Sequence, residues 1–173
     1  MNKILLGMAL FASVANAQQF VAVIDAKFTV KESEQTPPVN GCAGEELTRA
    51  ELDTMIANGD DVTKACVGTI EDFSFLLTGY PNFNQDISNW DMSSAKTLSN
   101  FMTQPMAMNP DFDIDISGWD VSNVENFDMF LYVNLDYPHD LSSWDTSSAT
   151  SWVDFYYKGY YEAPVDHIPP KFR

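Results

Sequence analysis

The sequence is poor in basic residues, cysteine and histidine, and each shortage argues against a class of function. Nine Lys and Arg residues stand against 25 Asp and Glu residues, which gives a formal net charge of −16. A field of this sign repels the phosphates of nucleic acids and of anionic membranes, so neither is expected as a partner. The two Cys and two His also lack the spacing of a structural zinc site.

Long apolar runs are equally scarce, and the clearest one lies at the N-terminus. The run Ile4–Val14 follows Lys3 and precedes an A-x-A pattern that ends at Ala17. This arrangement predicts a secretory signal over residues 1–17, because the run is shorter than the roughly 20 residues of a membrane span. Loss of Lys3 with this leader would change the net charge from −16 to −17. We therefore expect a bacterial protein that is periplasmic or secreted, without membrane insertion in its mature form.

Export changes the interpretation of the two cysteines, Cys42 and Cys66. An oxidising compartment allows them to pair, and closing a loop of about 25 residues would stabilise the fold by about 3 kcal/mol. Two free buried thiols are the alternative. We predict the disulfide.

Aromatic residues, in contrast, are abundant, with 12 Phe, 7 Tyr and 4 Trp in 173 residues. A disordered acidic chain is poor in aromatic residues, so this composition predicts one folded domain with a substantial core.

A sequence repeat organises most of the chain. The pattern D-[IL]-S-x-W-D-x-S begins at Asp86, Asp115 and Asp140, and apolar residues follow 8 and 11 positions after each Trp. An earlier degenerate copy contains Ile70, Phe73 and Leu76, so we count four copies. Units of 25 to 29 residues are too short for a propeller blade and lie in the leucine-rich-repeat range.

The predicted fold class is therefore an α/β repeat, a short leucine-rich-repeat-like solenoid of about four units. We expect parallel strands at Gln85–Ser88, Asp113–Ser117 and Pro138–Ser142 on one wall, with short helices or 3₁₀ turns on the other. The predicted repeat core consists of Ile87, Trp90, Phe101, Ile116, Trp119, Phe130, Leu141, Trp144 and Phe155.

The ends of such a stack need caps. Thr48 and Glu51 form a capping box for a helix that ends near Gly59. The predicted domain organisation is a signal over residues 1–17, an N-terminal strand and linker over 18–46, a cap helix over 47–64, the repeat solenoid over 65–155, and an aromatic, Pro-containing C-terminal cap over 156–173.

The cap helix followed by the Trp-Asp-x-Ser repeats resembles the BspA-like leucine-rich-repeat surface proteins, the Mycoplasma-type lipoprotein repeat. The segment Phe83-Asn84-Gln85-Asp86-Ile87-Ser88 is similar to the family's strand motif, and the resemblance covers about Leu47 to Phe155. Two Met positions of the family pattern are occupied by other apolar residues here, and the F-N-Q motif decays in the later copies. The resemblance implies an exported, non-enzymatic protein of surface binding or adhesion.

Two columns of Asp recur beside the Trp residues. Stacked units would place like carboxylates about 5 Å apart, where they repel one another, so something must offset the repulsion. One alternative is that each Asp accepts hydrogen bonds in an Asp-x-Ser turn. The other is a cation, most plausibly Ca²⁺, held between adjacent units. The candidate ligands are Asp86, Asp91, Asp115, Asp120, Asp140 and Asp145.

No catalytic constellation is evident in the sequence. His139 and His167 have no nucleophile pattern nearby, and a glycosidase-like carboxylate pair is the remaining enzymatic alternative. Several Tyr residues fall outside the repeat register and predict either packing of the C-terminal cap or an exposed patch for protein or glycan. These residues are Tyr132, Tyr137, Tyr156, Tyr157, Tyr160 and Tyr161.

The sequence predicts no enzyme and no cofactor other than the possible Ca²⁺, and a monomer that binds an unidentified protein or glycan ligand. The alternative is a small exported accessory or inhibitor protein, directed to one basic partner by its negative field.

Overall fold

The computed structural model describes residues 41–42, 44–102, 113–132, 137–156 and 165–173, which belong to one compact unit, Thr36–Arg173. The predicted signal and N-terminal strand lie outside the described residues.

Among the described residues, one α-helix, α1 (Arg49–Asn58), precedes the repeats. Its capping box is the predicted one, since the Thr48 hydroxyl accepts from the Glu51 amide and the Glu51 carboxylate accepts from the Thr48 amide. Gly59 ends the helix with a left-handed φ of 76°, a conformation that glycine adopts readily. Leu52 and Ile56 are the buried residues of α1, and they pack on the core of the repeats.

The disulfide between Cys42 and Cys66 is formed, as the sequence predicted. It joins the segment before α1 to the first repeat copy. A parallel β-bridge between Glu46 and Cys66 lies beside it, and the Leu47 amide donates to the Cys66 carbonyl at 2.8 Å. The covalent link and the bridge therefore hold the same two segments together.

Main-chain pairing between the copies occurs along four equivalent segments, residues 71–77, 96–102, 125–131 and 150–156, which we call the pairing wall. Parallel bridges link each segment to the next, through Asp72 with Thr97, Thr97 with Asn126, and Asn126 with Ser151. Amide-to-carbonyl bonds of 2.7 to 3.2 Å accompany these bridges. Each copy thus contributes one short rung to a parallel ladder.

This pairing lies elsewhere than the sequence predicted. The segments Gln85–Ser88, Asp113–Ser117 and Pro138–Ser142 contain no strand or bridge among their described residues, and the pairing wall occupies the positions expected to be helical or 3₁₀. In these segments the Ser88 and Ser117 amides donate to Asp side chains two residues earlier. The same kind of turn occurs within the pairing wall, where the Ser74 amide donates to Asp72, so the turn by itself does not decide where the copies pair.

At this corner, the Trp side chains of two copies each make a hydrogen bond to the preceding copy. The indole N–H of Trp90 donates to the Val62 carbonyl at 2.9 Å, and that of Trp119 donates to the Ile87 carbonyl at 3.1 Å. Val62 and Ile87 occupy equivalent repeat positions. The buried indole nitrogen of Trp144 has no hydrogen-bond partner within the described part of the chain.

The core lies between the pairing wall and the Asp-x-Ser turns. All nine residues predicted for the repeat core are buried, with Trp144, at 6% exposed, the least so. Equivalent Phe rings of successive copies stack at centroid distances of 6.1 Å for Phe101 with Phe130 and 5.7 Å for Phe130 with Phe155. The sequence repeat is therefore also a repeat of packing.

A basic side chain donates hydrogen bonds to main-chain carbonyls at each end of the stack of copies. The Arg49 guanidinium donates to the carbonyls of Asp72 at 2.6 Å and Ser74 at 2.9 Å, which belong to the first rung. At the other end, the Lys171 ammonium donates to the carbonyls of Thr146 at 3.0 Å and Ala149 at 2.7 Å. At the first rung, Arg49 satisfies acceptors that have no preceding copy to pair with, whereas Lys171 adds a donor to carbonyls of the fourth copy.

Two short 3₁₀ helices, Val165–His167 and Pro170–Phe172, lie in the C-terminal segment. Phe172 is buried and its ring lies 4.8 Å from that of Phe155 and 5.1 Å from that of Phe127. This segment therefore completes the core beside the fourth copy.

Candidate functional site

Two columns of Asp-x-Ser turns form the most regular polar surface of the described chain. In every case an Asp Oδ1 accepts the amide of the Ser two residues later, at 2.8 to 3.1 Å. The six pairs are Asp86 with Ser88, Asp91 with Ser93, Asp115 with Ser117, Asp120 with Ser122, Asp140 with Ser142, and Asp145 with Ser147. The degenerate first copy keeps the same turn, since Asp61 accepts from the Thr63 amide at 2.9 Å. The Asp recurrence is thus built into the backbone turns.

These bonds also stabilise the charged form of the carboxylates. The hydroxyl and then the amide of Ser88 hold the pKa of Asp86 below its ordinary value, and Ser117 acts in the same way on Asp115. The pKa of Asp140 and that of Asp145 are lowered by the same kind of serine contact. At these four positions the serine contacts therefore favour the charged carboxylate at neutral pH.

The six candidate Ca²⁺ ligands lie in separate turns. Across the described ranges, no three side chains of Asp, Glu, His or Cys come together in a way that could hold a metal ion. The hydrogen-bonded turn, one of the two predicted ways to offset the repulsion between the Asp residues, is present at all six positions.

Shallow grooves separate successive turns of the columns. One groove is lined by Asp86, Ser88, Asp113 and Asp115, and another by Asp91 and Asp120 together with neighbouring turn residues. Carboxylates and serine hydroxyls dominate these surfaces. A ligand with cationic or hydroxyl groups is complementary to them.

His139 lies at the edge of the first column. Its Nε2 is 2.6 Å from an oxygen of Asp113, and its Nδ1 is 3.7 Å from an oxygen of Asp115. At the same repeat position in the second copy, Gln85 bonds to the main chain of the preceding copy, accepting from the Val62 amide at 2.7 Å. His139 therefore contacts the preceding copy as Gln85 does, but through side chains.

Three of the six tyrosines of the predicted patch are described, and they differ in burial. Tyr137 is 5% exposed, and its hydroxyl donates to the Ile114 carbonyl at 2.9 Å and accepts from the Ile116 amide at 3.2 Å. Burial raises its pKa above the ordinary value for tyrosine. Of the two alternatives for Tyr137, packing and an exposed patch, its burial agrees with packing. Tyr132 and Tyr156 are half-buried, whereas Tyr157, Tyr160 and Tyr161 lie outside the described residues.

Sequence reasoning missed a second surface, the outer side of the pairing wall. One residue of each rung has a left-handed backbone, with φ between 51° and 59°, at the same repeat position. These residues are Phe75, Asn100, Met129 and Asp154. Asn and Asp adopt this conformation more easily than other side chains, so their recurrence at one repeat position was the available signal.

Within the described residues, no helix has the length and apolar character needed to cross a bilayer.

Comparison with known families gives one match. A family model described as "Mycoplasma protein of unknown function, DUF285" matches residues 48–162, which is more than half of the chain. The match takes in α1 and all four segments of the pairing wall. No curated protein and no solved structure matches the chain.

Proposed function

The chain belongs to the DUF285 family, and we propose that it is an exported, non-enzymatic repeat protein that binds a protein or a glycan at the cell surface or outside the cell. The observation that carries this proposal is the repetition of one polar group at fixed positions on a packed scaffold. Each of the last three copies presents its Asp-x-Ser turns at the surface while its Ile or Leu, Trp and Phe residues are buried. A repeated array of this kind suits a ligand that makes several equivalent contacts.

We propose the same leucine-rich-repeat-like solenoid that the sequence predicted as the scaffold, with the pairing wall as its ladder. The consecutive parallel bridges and the stacking of equivalent Phe rings support it. Relative to the prediction, the short parallel segments move from the Asp-x-Ser corner to the pairing wall.

Export is supported by the secretory pattern that ends at Ala17 and by the Cys42–Cys66 disulfide, because disulfides persist in oxidising compartments. Mass spectrometry of the protein recovered from its native compartment tests this step. We expect an N-terminus at Gln18, and an intact N-terminus in a cytosolic fraction would contradict export.

Binding is tested with a variant that removes charge without removing the turns. Asn accepts the same amide bond as Asp, so Asp86→Asn, Asp115→Asn and Asp140→Asn together keep the turns and neutralise one column. We expect the native chain to bind ligands on arrays of glycans and extracellular-matrix proteins, with the signal weakened by salt and by the triple variant. The melting temperature of the variant should remain close to that of the native chain.

The control neutralises residues away from the columns, through Glu51→Gln and Asp53→Asn on α1. Equal loss of binding in this control would show that the net charge alone is responsible. Absence of any bound protein or glycan from both arrays would overturn the proposed function.

A further inference from the structure

The outer side of the pairing wall exposes apolar side chains that do nothing for the core. Phe75 is 56% exposed and Val153 is 61% exposed. They belong to the first and fourth rungs, which are about 15 Å apart at the spacing of paired strands. Of the large apolar side chains exposed in the described residues, these two lie on the wall, and the third, Val165, lies in the C-terminal 3₁₀ helix.

Phe75 is unfavourable for the fold in two respects. Its φ of 59° places a Cβ-bearing aromatic residue in the left-handed region, and its ring stays largely in water. The backbone is held there by pairing, because the Phe75 amide donates to the Ser99 carbonyl at 3.0 Å and its carbonyl accepts from the Thr78 amide at 3.0 Å. The equivalent residues Asn100 and Asp154 show that the site takes side chains better suited to this backbone.

A strained, exposed side chain on a rigid ladder indicates a role outside the fold. Met129, at the same repeat position in the third rung, is also left-handed and half-buried. Together, Phe75, Met129 and Val153 give the wall an interrupted apolar surface.

Carboxylates surround this apolar surface. The wall carries Glu71, Asp72, Glu125, Asp128 and Asp154, whereas Lys96 is the one basic residue in its four described segments. The Arg49 guanidinium beside the first rung is engaged by carbonyls and by Asp53 at 2.9 Å, and it also lies 3.9 Å from a carboxylate oxygen of Asp72, so it offsets part of the charge of the first rung only. Charge complementarity therefore favours a cationic occupant.

We propose that the outer side of the pairing wall docks a basic protein segment that also carries apolar side chains, with Phe75 as the main anchor. This surface is separate from the Asp columns, so the inference goes beyond the binding function proposed above. Lys or Arg side chains of the partner contact the wall carboxylates, and its apolar side chains cover Phe75, Met129 and Val153. An aromatic anchor with polar surroundings is a common arrangement at protein interfaces.

The test measures binding of a twelve-residue peptide of alternating Lys and Leu to the full chain by titration calorimetry. Two further peptides separate the contributions, one alternating Lys with Ser and one alternating Glu with Leu. We expect saturable one-to-one binding of the Lys-Leu peptide and at least about tenfold weaker binding of each of the others.

The decisive variant is Phe75→Asn, which gives the left-handed position a residue suited to it. We expect this variant to melt at or above the native temperature and to bind the Lys-Leu peptide about tenfold more weakly. Val165→Asn is the matched control, since it removes an exposed apolar side chain away from the wall, and it should change the affinity less than twofold. A folded Phe75→Asn variant that binds the Lys-Leu peptide with native affinity would contradict the proposal. An equal loss of peptide affinity in Val165→Asn would also contradict it.

Other outcomes also decide. Failure of the native chain to bind the Lys-Leu peptide, or equal affinity for the Lys-Ser peptide, overturns the docking surface. Concentration-dependent dimerisation of the native chain that Phe75→Asn abolishes would assign the wall to a second copy and would also overturn it. Binding on the glycan and matrix arrays depends on the Asp columns, so it can persist when the wall proposal fails.

Discussion

At the scale of single residues, the aspartates at the surface act first as turn residues. Each carboxylate of the two columns accepts the amide of a serine two residues later. A considerable part of the net charge of −16 is therefore attached to backbone geometry. The charge that we propose for ligand binding is the same charge that shapes the turns.

This dual role makes a prediction about pH. The pKa of Asp86 is lowered by the Ser88 hydroxyl and amide, so the folded state favours the ionised form. The stabilisation is present above the unfolded-state pKa of about 3.9 and is lost as the pH falls through the lower folded-state pKa. We expect NMR titration to give Asp86 a pKa below the ordinary value, and Ser88→Ala to raise it.

The matching stability measurement uses Asp86→Asn, which keeps the turn but cannot titrate. The melting temperature of the native chain should fall below about pH 4, and the fall should be smaller in the variant. Identical pH profiles for the two chains would show that the turn contributes nothing to acid sensitivity.

At the scale of elements, the Trp corner shows how far sequence reasoning reaches. The repeat pattern identified Trp90, Trp119 and Trp144 as core residues, and all three are buried. It did not identify the hydrogen bonds that the first two make with the preceding copy. A regular repeat spacing predicts the same environment for all three Trp residues. Trp144 differs from the other two, because its indole nitrogen has no hydrogen-bond partner among the described residues.

The position of the pairing wall was not predicted from the sequence. Apolar residues spaced three apart, such as Ile70, Phe73 and Leu76, are compatible with a 3₁₀ turn and equally with a short paired segment that bends at a left-handed residue. Periodicity alone does not separate these alternatives. Phe75 conceals the bend in the first copy, since Phe is not a residue from which a left-handed φ is expected.

The Trp corner predicts that the same Trp→Phe substitution changes the unfolding free energy by different amounts in different copies. Trp119→Phe removes a bond to the Ile87 carbonyl, whereas Trp144→Phe removes an N–H that has no partner among the described residues. Both variants lose similar apolar contact, but the second also removes a buried unsatisfied donor. We expect urea unfolding to show Trp119→Phe as less stable than Trp144→Phe by about 1 to 2 kcal/mol. Equal losses would mean that the two indoles have equivalent environments.

The two ends of the array give a second prediction. Arg49→Met leaves the Asp72 and Ser74 carbonyls without their donor, and we expect a loss of about 1 to 2 kcal/mol in unfolding free energy. Lys171→Met should also destabilise, since three carbonyls lose the ammonium. Lys64→Met is the control, with an expected change within about 0.5 kcal/mol.

Arg49→Lys refines this test. Lysine keeps the charge but cannot reproduce the planar arrangement of the guanidinium donors, so it should recover only part of the lost stability. Full recovery would indicate that charge near the first rung matters and that the paired carbonyl contacts do not.

At the scale of the whole molecule, the excess negative charge destabilises the folded state, whereas the packed aromatic core stabilises it. The compact state brings like charges together, and salt screens their repulsion. Added salt should therefore raise the melting temperature. A specific calcium site would add a further stabilisation that depends on the free Ca²⁺ concentration.

These two effects can be separated by comparing CaCl₂, MgCl₂ and NaCl at matched ionic strength. Because the six column aspartates sit in separate hydrogen-bonded turns, and no metal-holding group of three is found across the described ranges, we expect CaCl₂ and MgCl₂ to raise the melting temperature equally. Asp86→Asn with Asp115→Asn should reduce the response to all three salts alike. An increase in melting temperature that is specific to millimolar Ca²⁺ and lost in this double variant would instead establish a cation bridge between adjacent copies. The turns would then have two roles, because they would fix the backbone and also position the carboxylates that bind Ca²⁺.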